Sequence, residues 1–153
     1  MTSEYAKPVP TAGINPEITQ PFWDAAKRHE LSVPYCSGCN RHFFYPREAC
    51  PNCLSPDWSW STISGKARLY SWTTVFQPGD TRFSEETPYV YAMVQLDEGP
   101  RMIGNVIDVD ANHYLSPDKV NTRLEAVFED VTPEWTLVKW RPIEDEAKSG
   151  RDE

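Results

Sequence analysis

The chain's four cysteines, Cys36, Cys39, Cys50 and Cys53, form two Cys-x-x-Cys pairs separated by ten residues. Zinc takes four soft donors in a tetrahedron, and two short chelating turns joined by a hairpin supply them at this spacing. Gly38 and Asn52 stand just before the second ligand of each turn, residue types that tolerate positive φ. Structural zinc is therefore the expected occupant. Iron or another thiophilic metal in the same cage, and redox-active or disulfide-bonded thiols, are the other chemistries open to the motif. Disulfides belong to oxidising compartments, and Met1 to Pro10 contains neither a basic n-region nor an apolar h-region that would export the chain. A reducing cytoplasm is the expected location. Four cysteine ligands leave no position open for water, so such a metal would hold structure and not catalyse.

No other residues supply an evident nucleophile with a base. His29, His42 and His113 fall in different segments, and the sequence has no Gly-x-Ser-x-Gly elbow, Walker loop or dinucleotide fingerprint. The acid pairs Glu85-Glu86 and Glu129-Asp130 suit solvated surface better than proton chemistry. His42, beside Arg41 between the knuckles, has phosphate recognition as the alternative to an inert surface position. The 23 Asp and Glu outnumber 15 Lys and Arg, for a formal charge of −8, the opposite of a general nucleic-acid binder. No apolar run approaches the roughly 20 residues that span a bilayer, so a soluble protein is expected.

These residues need elements to position them. In 153 residues, 39% hydrophobic content with six Trp, seven Tyr and six Phe is ample for a packed core. Residues 1–16 contain Pro8, Pro10, Gly13 and Pro16 without periodicity, which predicts an extended arm. Within 17–32, Thr19 is placed to cap a short helix with Pro21 in its first turn, and Phe22, Trp23 and Ala26 then share one stripe. Residues 33–60 hold the zinc ribbon, with Phe43, Phe44 and Tyr45 in the hairpin between the knuckles. The segment 143–153 reads as a charged flexible tail.

Across 61–142 the period changes to two. Lys66 to Phe76 alternates Ala67, Leu69, Ser71, Thr73 and Val75 against Arg68, Tyr70, Trp72, Thr74 and Phe76, an aliphatic face opposite an aromatic one. Tyr89 to Leu96 repeats the arrangement, and further strands are expected at Arg101 to Ile107, Leu124 to Val131 and Thr136 to Arg141. Five short strands suit a small Greek-key barrel of the OB type, because closure removes edges that so small a sheet could not protect. The expected fold is thus mainly β: an N-terminal helix, a zinc ribbon and a five-stranded OB-fold barrel.

Tyr70, Trp72 and Phe76 beside Tyr89 and Tyr91 would present a flat apolar surface that invites a partner. The alternative is that the helix covers it through Phe22 and Trp23, and both hold if helix and sheet make one composite surface. The loop Gln77 to Thr87 is longer than a hairpin needs, and its Arg82 and Phe83 either form a mobile tip or reach toward a partner. OB folds also bind single-stranded nucleic acid through stacked aromatics beside a basic groove. Lys66, Arg68, Arg101, Lys139 and Arg141 are few for that role in so acidic a chain, so a stand-alone nucleic-acid binder is the alternative and not the main reading.

Phe22-Trp23-Asp24, the two knuckles, Phe44-Tyr45-Pro46-Arg47, the strand Gly65 to Thr73, Pro88-Tyr89-Val90 and Phe128-Glu129-Asp130 occur here in one order. In this order the chain, from about Glu17 to Pro142, resembles the zinc-ribbon/OB-fold acyl-CoA-associated family. The resemblance implies a rubredoxin-like ribbon ahead of the OB domain. It also implies a non-catalytic subunit of a hetero-oligomer, docked on a thiolase-superfamily enzyme, either an acyl-CoA thiolase or a retro-aldolase of steroid or aromatic catabolism, with acyl-CoA at or near the shared interface. Phe22, Trp23, Tyr70 and Trp72 are then the docking candidates, because aromatic residues dominate interface energetics. Phe83 and Tyr89 are placed nearest the acyl-CoA entrance.

Overall fold

A computed structural model describes residues 5–11, 13 and 15–143. Residues 1–4, 12 and 14 of the expected arm, and all of the expected tail except Ile143, lie outside the described residues.

Helix α1 runs from Pro16 to Lys27. Its N-cap is Asn15, with Pro16 in the first turn, so Thr19 lies inside the helix and its hydroxyl donates to Asn15 O at 3.3 Å. The first turn holds Pro16 and not Pro21, one turn earlier than a Thr19 cap implies: a first-turn residue has no intrahelical acceptor to lose, whereas Pro21, inside the helix, leaves one carbonyl without its donor. The helix stops when His29 enters the left-handed region at φ 59°. His29 N then donates to Ala26 O at 2.8 Å and Glu30 N to Ala25 O at 3.0 Å, the paired bonds of a Schellman ending. Phe22, Ala25 and Ala26 are buried, and the helix packs on strands of both sheets.

The ribbon sheet has the order β2-β1-β3, with β1 Ser32–Cys36 between β2 Arg41–His42 and β3 Trp58–Thr62. The remaining strands are β4 Lys66–Val75, β5 Tyr89–Leu96, β6 Arg101–Val106, β7 Arg123–Asp130 and β8 Thr136–Pro142. They close as a barrel in the order β4-β5-β6-β8-β7, giving the mainly β fold with one helix, a zinc-ribbon region and a five-stranded OB-type barrel. Its interior is filled by Leu69, Val90, Val94, Leu96, Leu124 and Trp140, all fully buried. Gly104 lets Trp140 lie flat against β6, since a Cβ there would stand 2.9 Å from Trp140 Cδ1.

Two features of the barrel bear on the site. First, the alternation expected along β4 breaks at a bulge between Leu69 and Ser71. Beyond it the faces exchange: Thr74 is buried, Ser71 and Thr73 are exposed, and Trp72 packs against the core, donating its indole N–H to Tyr114 O at 3.0 Å. One inserted residue reverses a period of two, so Trp72 does not share a face with Tyr70, as the uninterrupted pattern implies. Second, β6 and β8 are parallel and share a single register pair, Val106 with Trp140, before they diverge.

Loop 77–87 is ordered by a 3-10 segment at Thr81–Glu86. Arg82 is committed to Asp80, with Nη2 to Oδ2 at 2.6 Å, and Glu86 pairs with Lys7 of the arm.

Candidate metal centre and docking face

The first knuckle follows strand β1, and the second follows the loop that leaves β2. Strand β1 delivers Cys36, and the turn Ser37-Gly38-Cys39 brings the second thiol back beside it. A side chain at Gly38 would meet Ser55 Cβ at 2.9 Å and Cys36 Sγ at 3.5 Å, so close approach of the two knuckles requires glycine there. The left-handed residues are Asn40 at φ 56° and Leu54 at φ 62°, directly after each second cysteine, and not Gly38 or Asn52 before it. Each knuckle therefore turns after its second ligand, at matching positions.

The four Sγ atoms all lie within 4.8 Å of one another. Cys36 Sγ to Cys53 Sγ is 3.6 Å and Cys39 Sγ to Cys50 Sγ is 3.8 Å. A Zn–S bond of about 2.3 Å puts tetrahedral sulfurs about 3.8 Å apart, whereas a disulfide needs about 2 Å. Cys36 and Cys50 are buried, with Phe43 and Trp58 packed edge to face over them at 5.6 Å. Asn52 N donates to Cys50 Sγ at 3.4 Å. Four thiols this close resist ionising together without a cation: burial and the neighbouring thiols push Cys39 up to about 12. Burial opposes ionisation of Cys50 too, but N–H groups of Asn52 and Cys53 outweigh it and bring Cys50 down to about 7. The donor set, spacing and N–H support suit a zinc tetrathiolate that holds the ribbon together.

The loop between the knuckles links three elements. Phe44 packs on Phe22 of α1 with centroids 5.5 Å apart, and the Tyr45 hydroxyl accepts the N–H of Ile103 on β6 at 3.1 Å. Between β6 and β8, where they diverge, lies an apolar cleft of about 310 Å³, walled by Phe22, Trp23, Phe44, Tyr45, Ile103 and Val138. Trp23 also meets Trp135 edge to face at 5.6 Å.

The six residues read as a partner or acyl-CoA surface are therefore divided. Phe22 and Trp23 share the cleft. Tyr70 is 47% exposed on the bulge, beneath Arg101 at 3.7 Å. Phe83, Tyr89 and Trp72 are half-buried and do not line the cleft, Trp72 packing against the barrel core. The helix packs against β1, β7 and β8, so it leaves Tyr91 and Phe76, 47% and 60% exposed, uncovered on the outer side of β4 and β5. Phe44, Tyr45, Ile103 and Val138 are cleft residues that periodicity did not single out as partner-facing. For Phe44 and Tyr45 the signal was the aromatic run inside a metal hairpin, too short to have a period, whereas Ile103 and Val138 occupy ordinary strand positions.

The histidines stay apart. His29 Nε2 meets Asp130 at 3.0 Å and His113 Nδ1 meets Asp110 at 2.7 Å, both at exposed positions, while His42 meets the Tyr35 ring edge to face at 4.9 Å. The only hydroxyl at either pair, that of Thr136, donates to Asp130 and not to an imidazole among the described residues.

The model of the ChsH2 rubredoxin-like zinc ribbon domain matches residues 23–59, and that of the ChsH2 C-terminal OB-fold domain matches residues 60–129. A DUF35 domain-containing scaffold protein of Methanothermobacter thermautotrophicus is 33% identical over 109 residues, 71% of this chain and 78% of that protein. A probable enoyl-CoA hydratase alpha subunit of Thermomonospora curvata is 33% identical over 124 residues, 79% of this chain but 36% of that protein, so the chain spans about a third of that relative's length. The solved Ltp2-ChsH2(DUF35) aldolase superposes with a TM-score of 0.70 at 30% identity, over 85% of this chain and 97% of that one. A DUF35-family structure from Sulfolobus solfataricus, with a TM-score of 0.53 at 14% identity, shares the fold.

Proposed function

This chain belongs to the DUF35 family of zinc-ribbon and OB-fold proteins, and from that premise we propose that it is a non-catalytic subunit docking on a thiolase-superfamily enzyme. It stabilises that enzyme and helps to shape its acyl-CoA site, while the partner supplies the nucleophile and base for thiolysis or retro-aldol cleavage. The observation that carries this reading is the apolar cleft at the ribbon–helix–barrel junction. It is walled by large aromatics and bordered by the Tyr45–Ile103 bond. Concave apolar ground with aromatic anchors is what a subunit interface needs at its centre. Among the described residues no helix is long and apolar enough to cross a membrane.

The nucleic-acid alternative loses support from the same side chains that suggested it. Lys66 and Arg141 share Glu125 at 2.9 and 2.7 Å, and Lys139 is held by Glu129 at 2.5 Å, so most of the candidate basic groove is already neutralised. Assaying the purified chain alone for thiolysis or aldol cleavage tests the non-catalytic role: no turnover is expected. Substituting His29, His42 or His113 should leave a reconstituted complex within about tenfold, less than is typical for loss of general acid–base catalysis. Turnover by the chain alone would contradict the reading.

A further inference from the structure

On the other side of Phe44 from the apolar cleft lies a second concavity of about 540 Å³, walled by Arg41, His42, Asn52, Gln95 and Arg101. Its charge is unlike that of the rest of the molecule. In a chain of formal charge −8, cations elsewhere are mostly compensated, as in Arg123 with Asp97 at 2.7 Å and Lys66 with Glu125 at 2.9 Å. Among the described residues neither Arg41 nor Arg101 has a carboxylate partner. Arg101 is instead fixed by neutral groups: its guanidinium lies 3.7 Å from the Tyr70 ring centroid, and Nε donates to Gln95 Oε1 at 2.8 Å. That clamp leaves the two terminal nitrogens to face a ligand at little further ordering cost. The lining's single carboxylate, Glu98, is turned to the backbone. Its Oε1 accepts Ser64 N–H at 2.9 Å, and its Oε2 has almost no accessible surface.

Two uncompensated guanidinium groups and an imidazole converging on a concave wall suit an anion with several acceptor oxygens. Strand β6 runs from Arg101 in this pocket to Ile103 and Asn105 in the apolar cleft, roughly 13 Å at about 3.3 Å per residue. We propose that this pocket binds the phosphate end of a phosphorylated nucleotide thioester, whose uncharged arm follows β6 toward the docking face. The site rests on the acyl-CoA reading above and adds where this chain would grip such a ligand. Arg41 and Arg101 hold the phosphate, and Tyr70 acts as the platform that positions Arg101 and not as a docking anchor.

The test is titration calorimetry of the zinc-loaded full chain, without partner, using adenosine 3′,5′-bisphosphate and separately inorganic phosphate. The nucleotide should bind, and Arg41→Gln and Arg101→Gln should each weaken it about tenfold, the effect of losing a charge-assisted hydrogen bond. Lys27→Gln, an equal charge change on the far end of α1, should leave binding within about twofold. Arg101→Lys keeps the charge but loses the planar fork and should fall between. Zinc content and the far-ultraviolet circular dichroism of each variant confirm that it is folded. Absent binding at millimolar nucleotide, equal affinity for inorganic phosphate, or indifference to both arginine substitutions would overturn the site. Nucleotide binding with the expected arginine dependence, in a chain that associates with no thiolase-superfamily subunit, would uphold the pocket and remove the accessory-subunit reading instead.

Discussion

The hydroxyl of Tyr45 accepts the backbone N–H of Ile103 at 3.1 Å, so a residue from the loop between the metal knuckles satisfies an open position on the edge of β6. The wall of the apolar cleft is therefore tied to the loop that the metal centre closes. Removing a ligand by Cys39→Ser or Cys50→Ser should abolish zinc binding, release residues 33–60 from their fold and reduce recovery of soluble complex, because the ribbon has little core of its own beyond Phe43 and Trp58. Metal analysis of freshly purified protein should give one zinc per chain. Well-folded protein with far less than one zinc would contradict the coupling.

Trp23 and Trp72 should fail in different ways. Trp72 packs against the barrel core and donates to Tyr114 O, so Trp72→Ala should cost about 3–5 kcal/mol of the free chain's stability. Trp23 lines the cleft, so Trp23→Ala should cost about 2 kcal/mol of association with the partner, with a smaller loss of stability. Denaturant unfolding of the free chain beside a partner-binding titration separates the two. Equal losses of stability, with partner affinity unchanged, would place Trp23 in the core.

Acidification should destabilise the barrel. Arg123 holds the Asp97 carboxyl below its ordinary range, Lys66 and then Arg141 do so for Glu125, and the Thr136 hydroxyl and then His29 do so for Asp130. A folded value below the unfolded one, about 4 for a carboxylate, adds stability that is fully present above the unfolded value and lost as pH falls through the folded one. The melting temperature should hold above about pH 5 and fall below about pH 4, and Asp97→Asn should remove part of that fall. Asp97 and Asp130 are exposed and Glu125 is partly so, so the change should be modest and weaken further in salt. A melting temperature unchanged down to pH 3 would contradict the assignment.

The metal site was legible because its information is local: four cysteines at fixed spacing define the ribbon whatever surrounds them. The strands were legible for a similar reason, since the alternation of Val90, Ala92, Val94 and Leu96 survives intact in β5. What escaped depended on non-local or single-residue events. The bulge beside Tyr70 inserts one residue without any glycine or proline to announce it, and so moves Trp72 from one face to the other. The helix start was expected at Thr19 with Pro21 in the first turn, but Asn15 and Pro16 begin it one turn earlier. The cleft assembles Phe22, Phe44, Ile103 and Val138 from four separate elements, a juxtaposition that only closure of the barrel creates.

Association itself is tested most directly by native mass spectrometry of the chain purified gently from its own cells. The expected species is a hetero-oligomer containing this chain, one zinc per copy, and a thiolase-superfamily subunit, with Trp23→Ala shifting the population toward the free chain. Zinc-loaded wild-type chain recovered only as a monomer or self-oligomer, at concentrations where the partner is present, would contradict the accessory-subunit role.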